Sequence, residues 1–107
     1  MAALSIQERK RLRQIGHALN PVVMVGGQGL TENVIEETNR ALNDHELIKV
    51  EIGGEDREVR AAVITEIAAA TGSEVVQTIG KIALLYKKAA KQNAKLSNLV
   101  RHAHLSN

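Results

Sequence analysis

Gly26-Gly27-Gln28-Gly29 sits between a short apolar run, Val22-Val23-Met24-Val25, and a segment of helical periodicity that opens at Thr31. This is a G-x-x-G turn joining a strand to a helix. Glycine lets the backbone take positive φ and approach a ligand with no Cβ in the way. The helix start that follows offers unpaired N–H groups and the positive end of the dipole, which favour a phosphate. The chemistry available here is capture of a phosphate-bearing partner. The same four residues would serve equally as a tight turn with no ligand, because short glycine motifs recur widely.

Other reactive constellations are missing. His17, His45, His102 and His104 are dispersed, without paired ligand spacing. No serine stands in a G-x-S-x-G context. Glu55-Asp56 precedes a helix and reads as favourable charge at its N-terminus, not as an acid–base pair. No Lys-Ser/Thr follows Gly29, so the loop is not a Walker A motif, and 107 residues leave no room for two nucleotide-binding halves. Without cysteine there is no thiolate zinc site, disulfide or thiol nucleophile. No catalytic residue, metal site, cofactor or small-molecule substrate is expected.

The net charge of +2 hides an uneven distribution. Up to Leu30 the one acid is Glu8, against Arg9, Lys10, Arg11 and Arg13. After Val75 no acid offsets Lys81, Lys87, Lys88, Lys91, Lys95 and Arg101. The acids concentrate between Glu32 and Glu58. Such asymmetry gives a dipolar molecule whose basic side attracts polyanions by counterion release. No apolar run approaches the roughly 20 residues of a membrane span. The N-terminus lacks a basic segment followed by an apolar core, so it does not read as a signal peptide. A cytoplasmic, single-domain monomer is expected.

The elements that must hold these residues can be read in order. Ser5 and Glu8 have capping-box spacing, and Leu12, Ile15 and Leu19 follow on one helical face. Arg9, Arg13 and His17 form a neighbouring stripe with Lys10 beside them. Pro21 predicts a helix end near Asn20. A strand over Val22–Val25 precedes the glycine loop. A second helix, Glu32 to Asn43 capped by Thr31, buries Val34, Ile35, Thr38, Ala41 and Leu42, with Glu36 and Arg40 placed to pair outside. A turn, Asn43-Asp44-His45-Glu46, leads to a strand over Leu47–Ile52, alternating apolar residues with Lys49 and Glu51. A third helix spans Asp56 to Thr71, with Val59, Ala62, Val63, Ile67 and Ala70 as its apolar face and Gly72 just beyond its end. Strands over Val75–Ile79 and Ile82–Lys87 flank a Gly80-Lys81 hairpin turn.

The order is αβαβαββ, an α/β (α+β) fold. Helix-linked strands should run mostly parallel and the last hairpin should add an antiparallel strand, giving a mixed four-stranded sheet with packed helices. The tail from 88 to 107 carries Leu96, Leu99, Val100 and Ala103 at amphipathic spacing. It reads either as a weak docked helix or as a frayed basic arm, with thermal stability little affected by its removal in the latter case.

Several spaced blocks resemble a CRM domain, and more closely the stand-alone bacterial YhbY-type proteins. They are Pro21 to Thr31 around the glycine loop, His45 to Val50, Thr71-Gly72, Val76 to Lys81 and Leu84 to Lys87, within residues 4 to 88. The resemblance implies an RNA-binding domain similar in fold to the C-terminal domain of translation initiation factor three. It also implies association with precursors of the large ribosomal subunit during assembly. The G-x-x-G loop is likened to that of KH domains, which clamps a nucleic-acid backbone. On that basis Gly26, Gly27, Gln28 and Gly29 carry over as the RNA-contacting loop. Arg9, Lys10, Arg13, Lys49, Lys81 and Lys87 are the candidate phosphate contacts around it. The position of Lys87 is often Arg in this family, so lysine here is expected to weaken a bidentate phosphate contact while keeping the charge. Tyr86, the only aromatic residue, cannot supply the stacking ladder of generic single-strand binders. Ribosomal RNA is therefore expected to be read through phosphates, amides and shape. The alternative is a protein-interaction module docking its basic face on an acidic partner.

Overall fold

The computed structural model describes residues 4–106. Helix α1 (Ile6–Gly16) opens with the expected capping box. The Ser5 hydroxyl accepts the Glu8 N–H at 3.0 Å, and the Glu8 carboxylate accepts the Ser5 N–H at 3.1 Å. Such a cap contributes about 1 kcal/mol. The helix stops at Gly16, short of the expected Asn20. The chain tightens instead: Ala18 N–H donates to Ile15 and Leu19 N–H to Gly16, which turns Leu19 back onto the sheet.

Strand β1 (Pro21–Val25) leads through the glycine loop to α2 (Glu32–His45), capped by the Thr31 hydroxyl on the Val34 N–H. Strand β2 (Leu47–Ile52) lies where its alternation places it. Helix α3 (Arg57–Thr71) is capped by Asp56, whose carboxylate accepts from Glu58 and Val59, and it ends on Gly72 at φ 67°. Strands β3 (Glu74–Ile79) and β4 (Ile82–Tyr86) form the hairpin, with Ile79 opposite Ile82 across Gly80-Lys81. Lys87 lies just outside β4.

The sheet order is β1-β2-β4-β3. β1 and β2 are parallel, and β4 is antiparallel to both β2 and β3. The three helix-linked strands therefore share a direction, as expected, with β4 inserted between β2 and β3. Successive β2 residues point to opposite faces. Ile48, Val50 and Ile52 meet Leu42 of α2 and Ile64 and Ile67 of α3 on one face. Leu47 meets Leu12 and Ile15 of α1 on the other, with Val76 and Leu84. The result is three layers with a core on each side of the sheet.

Two further expectations, on packing and pairing, are corrected. The buried face of α3 is Ile64, Ile67 and Thr71, whereas Val59, Ala62 and Ala70 are exposed and Val63 is half-buried. The helix is alanine-rich, so its apolar stripe was ambiguous, and contact with β3 selects the face that includes Ile64. The Glu36–Arg40 ion pair does not form; among the described residues the one ion pair is Arg9–Glu74.

The C-terminal segment is docked. It contains a short helix α4 (Asn98–Arg101) and a 3₁₀ turn (Ala103–Ser106), and Leu99 and Leu105 pack on the α1-side core. Ser97 and Asn98 are buried. The frayed-arm reading of this tail therefore gives way to a packed strap.

Candidate nucleic-acid interface

The glycine loop sits at the C-terminal end of β1. Gly29 N–H donates to the Gly26 carbonyl at 3.0 Å, closing a four-residue turn with Gly27 and Gln28 at its tip. Of the loop's glycines, Gly29 alone has positive φ, at 84°. A Cβ on Gly26 or Gly27 would meet nothing within 4 Å. The fold thus accounts for glycine at 29 but not at 26 or 27, where the backbone is bare and exposed. Both peptide units remain open to close approach from outside.

Two further turns share this rim. Gly53 N–H donates to the Val25 carbonyl at 2.7 Å, and Ile52 N–H donates to the Lys81 carbonyl at 2.7 Å. The Gly53-Gly54 turn and the Gly80-Lys81 hairpin tip therefore flank the strand ends that carry the glycine loop. Gly53 is pressed against the loop: a Cβ there would lie 3.0 Å from the Val25 carbonyl oxygen.

The candidate cations fall into four places. Lys81 is exposed on the loop rim. Lys49 lies on the α1 side of the sheet, where it lines a shallow groove of about 140 Å³ with His17 and Gln77. Arg13 and the exposed Lys10 lie on α1 itself. Arg9 and Lys87 lie at the opposite end of the sheet from the loop. Arg9 donates to the Val75 carbonyl at 3.1 Å and pairs with Glu74 at 3.4 Å. The Lys87 ammonium donates to the Thr71 carbonyl at 2.8 Å, at the C-terminus of α3. Both cations tie helices to the sheet.

Glu46 is the polar centre that sequence reading missed. It was read as a turn residue, but it is 2% exposed and takes φ 63° at the end of α2. Its carboxylate accepts from the Ser97 hydroxyl at 2.7 Å, the Gln92 amide at 2.6 Å and the Ala89 N–H at 2.9 Å. Its own carbonyl accepts the Lys87 N–H at 2.9 Å. Burial pushes the carboxyl pKa up, but the donors from Gln92, Ala89 and Ser97 and the charge of Lys88 outweigh it and hold the group below the usual carboxylate range. The adjacent strap contacts are the Asn98 amide on the Leu47 carbonyl at 2.7 Å and the His45 ring on the Leu96 carbonyl at 2.9 Å. Tyr86 is half-buried in the α1-side core, and burial, with Glu46 and Glu8 nearby, raises its pKa against the opposing charge of Arg11. It remains a neutral phenol at physiological pH.

Among the described residues no group of three His, Cys, Asp or Glu side chains could hold a metal ion, and no helix is long and apolar enough to cross a membrane.

The CRS1 / YhbY (CRM) domain family matches residues 4–87. A Pseudomonas aeruginosa protein named "Probable RNA-binding protein" is 48% identical over 101 residues, covering 94% of this chain and 97% of the relative. An "RNA-binding protein" of Haemophilus influenzae is 46% identical over 96 residues, covering 90% and 97%. The solution structure of a Staphylococcus aureus protein, described as a candidate RNA-binding protein, superposes with a TM-score of 0.74 at 28% identity, covering 89% of this chain and 98% of that one.

Proposed function

Because this chain belongs to the CRS1/YhbY (CRM) domain family, we propose that it is a non-enzymatic RNA-binding protein of the cytoplasm, acting as a monomer. Its RNA is ribosomal RNA in precursors of the large subunit, whose assembly it assists. The Gly26–Gly29 loop is the clamp on the RNA backbone. The observation that carries this reading is the bare backbone at Gly26 and Gly27, which no internal contact requires. Phosphate oxygens approach those peptide units and the uncapped amides at the start of α2.

Lys81 on the same rim, and Lys49, Lys10 and Arg13 on the α1 side, supply phosphate contacts that orient the protein without reading sequence. Arg9 and Lys87 use part of their donor capacity within the fold, so they contribute with the donors that remain. Names of the relatives support RNA as the partner class.

The test is crosslinking in cells followed by sequencing of the attached RNA. Reads concentrated in large-subunit precursor RNA are expected. Reads spread over all transcripts in proportion to abundance would remove the ribosomal assignment, and an absence of crosslinked RNA would remove the RNA-binding one.

A further inference from the structure

On the other face of the sheet from α1, an open groove of about 680 Å³ runs between α3 and the β3–β4 hairpin. Arg57, Arg60 and Thr65 line it from the helix, and Val75, Thr78 and Gly80 from the hairpin. Among the described residues no carboxylate lines it. This is unexpected locally, since Glu55, Asp56 and Glu58 surround Arg57 in sequence. Asp56 is committed to capping α3, with one carboxylate oxygen taking both the Glu58 and Val59 N–H groups. Neither arginine forms an ion pair among the described residues.

Arg60 is held in place and left incomplete. One terminal nitrogen donates to the Gly54 carbonyl at 2.9 Å. Its Nε is buried and has no hydrogen-bond partner among the described residues. A buried guanidinium N–H without an acceptor is costly, and a rotation of the side chain that turns it outward to a charged acceptor relieves that cost. Arg57 is exposed one turn earlier, and its side chain makes no hydrogen bond or ion pair among the described residues. The Gly54 anchor follows directly on Gly53, whose Cβ position lies 3.5 Å from the Gly26 carbonyl carbon. The Arg60–Gly54 bond and Gly80, at the hairpin tip, thus bring the groove next to the rim that carries the glycine loop.

We propose that Arg57 and Arg60 form a second phosphate-binding site, taking the sugar–phosphate backbone of the RNA where it passes from the Gly26–Gly29 loop across the Gly53-Gly54 turn. The inference rests on the RNA-binding reading above. It adds a strand path over the α3 side of the sheet that the basic ends of the sequence do not suggest. At about 680 Å³ the groove is far larger than a single phosphate, which suits a continuous chain. Arginine can hold two phosphate oxygens at once through its planar fork.

The experiment uses the full chain and a fluorescein-labelled RNA hairpin, with anisotropy measured across a potassium chloride titration. The variants are Arg57→Gln, Arg60→Lys, the loop pair Gly27→Asp with Gln28→Asp, and Arg40→Gln as an exposed, charge-matched control on α2. Arg57→Gln is expected to weaken binding about 3- to 10-fold and to lower the slope of log K against log salt by roughly 0.7 to 0.9, the loss of one phosphate contact. Arg60→Lys is expected to weaken binding although it keeps the charge, and a thermal melt shows whether its fold is intact. Arg57→Gln, exposed and unbonded, keeps the test valid if Arg60→Lys does not fold. Wild-type affinity and slope in Arg57→Gln, with binding lost in the loop pair, would overturn this site and leave the loop reading standing. An equal loss in Arg40→Gln would reduce the effect to net charge and also overturn it. A loss in the arginine variants with normal binding by the loop pair would support this site and remove the loop as the clamp. No binding by the wild-type protein would overturn both.

Discussion

The Ser97 hydroxyl donates to the Glu46 carboxylate at 2.7 Å across 51 residues of sequence, with both side chains buried. This bond joins the end of α2 to the start of α4. It makes the C-terminal segment part of the fold. The position would ordinarily suit glycine, as Gly72 does at the end of α3, because φ is 63° there. Glutamate is strained in that conformation, and its carboxylate offsets the strain by collecting three donors from the strap.

Glu46→Ala strands buried donors, above all the Ser97 hydroxyl. It should destabilise the protein by about 2–4 kcal/mol and lower the melting temperature by roughly 10 °C or more. Glu46→Gly relieves the backbone strain and should recover up to about 1 kcal/mol of that loss. A glycine variant more stable than wild type would show that the carboxylate contributes less than the backbone strain costs.

The same group predicts an acid response. Its folded pKa lies below the ordinary glutamate range, so its stabilisation is fully present above the unfolded pKa and is lost as pH falls through the folded one. Hydrogen exchange should show the strap around Ser97 opening, relative to the β2 and β4 core, as pH is lowered through the carboxylate range. Glu46→Gln should lack this acid-dependent difference.

Truncation after Lys87 removes Ser97, Asn98, Leu99 and Leu105 and leaves the Glu46 carboxylate without its three partners. The melting temperature should fall by several degrees. A frayed tail would leave it unchanged. Electrostatics can be separated from packing with Lys91→Gln plus Lys95→Gln in the full chain, both side chains being exposed. That variant should melt normally, and the salt slope of RNA binding should drop by about 0.7 to 0.9 for each lysine that touches a phosphate.

Gly27→Asp plus Gln28→Asp should abolish RNA binding with the fold intact. Position 27 has room for a side chain, so the far-ultraviolet spectrum and melt should match wild type. Two carboxylates would repel phosphate and compete for the same amides. Unchanged affinity in the folded variant would exclude the loop as the clamp.

Arg9→Ala plus Arg13→Ala should weaken binding to many RNAs about equally, since phosphate contacts orient rather than specify. Arg9 also bonds the Val75 carbonyl and Glu74, so the pair should lose some stability as well. Arg13→Ala alone separates the two effects: weaker binding with an unchanged melt. A loss confined to one RNA sequence would contradict the assignment.

Local signals were legible in the residues themselves. The Ser5–Glu8 box, the Thr31 cap, the Gly72 stop, the alternation from Leu47 to Ile52 and the Gly80-Lys81 turn all act between residues a few positions apart. They determine αβαβαββ and place the glycine loop between a strand and a helix. Contacts distant in sequence were decided only by the tertiary structure. Insertion of β4 between β2 and β3 depends on pairing Leu47–Glu51 with Ile82–Tyr86. Contact with the sheet chose the buried face of α3, because an alanine-rich helix offers several nearly equal stripes. Arg9 and Lys87 looked like free cations because their carbonyl partners lie 66 and 16 residues away. Glu46 reads in sequence as a turn residue, because burial of a carboxylate is possible only where donors converge on it. Those donors come from a segment 43 to 51 residues later, and only the folded chain brings them together.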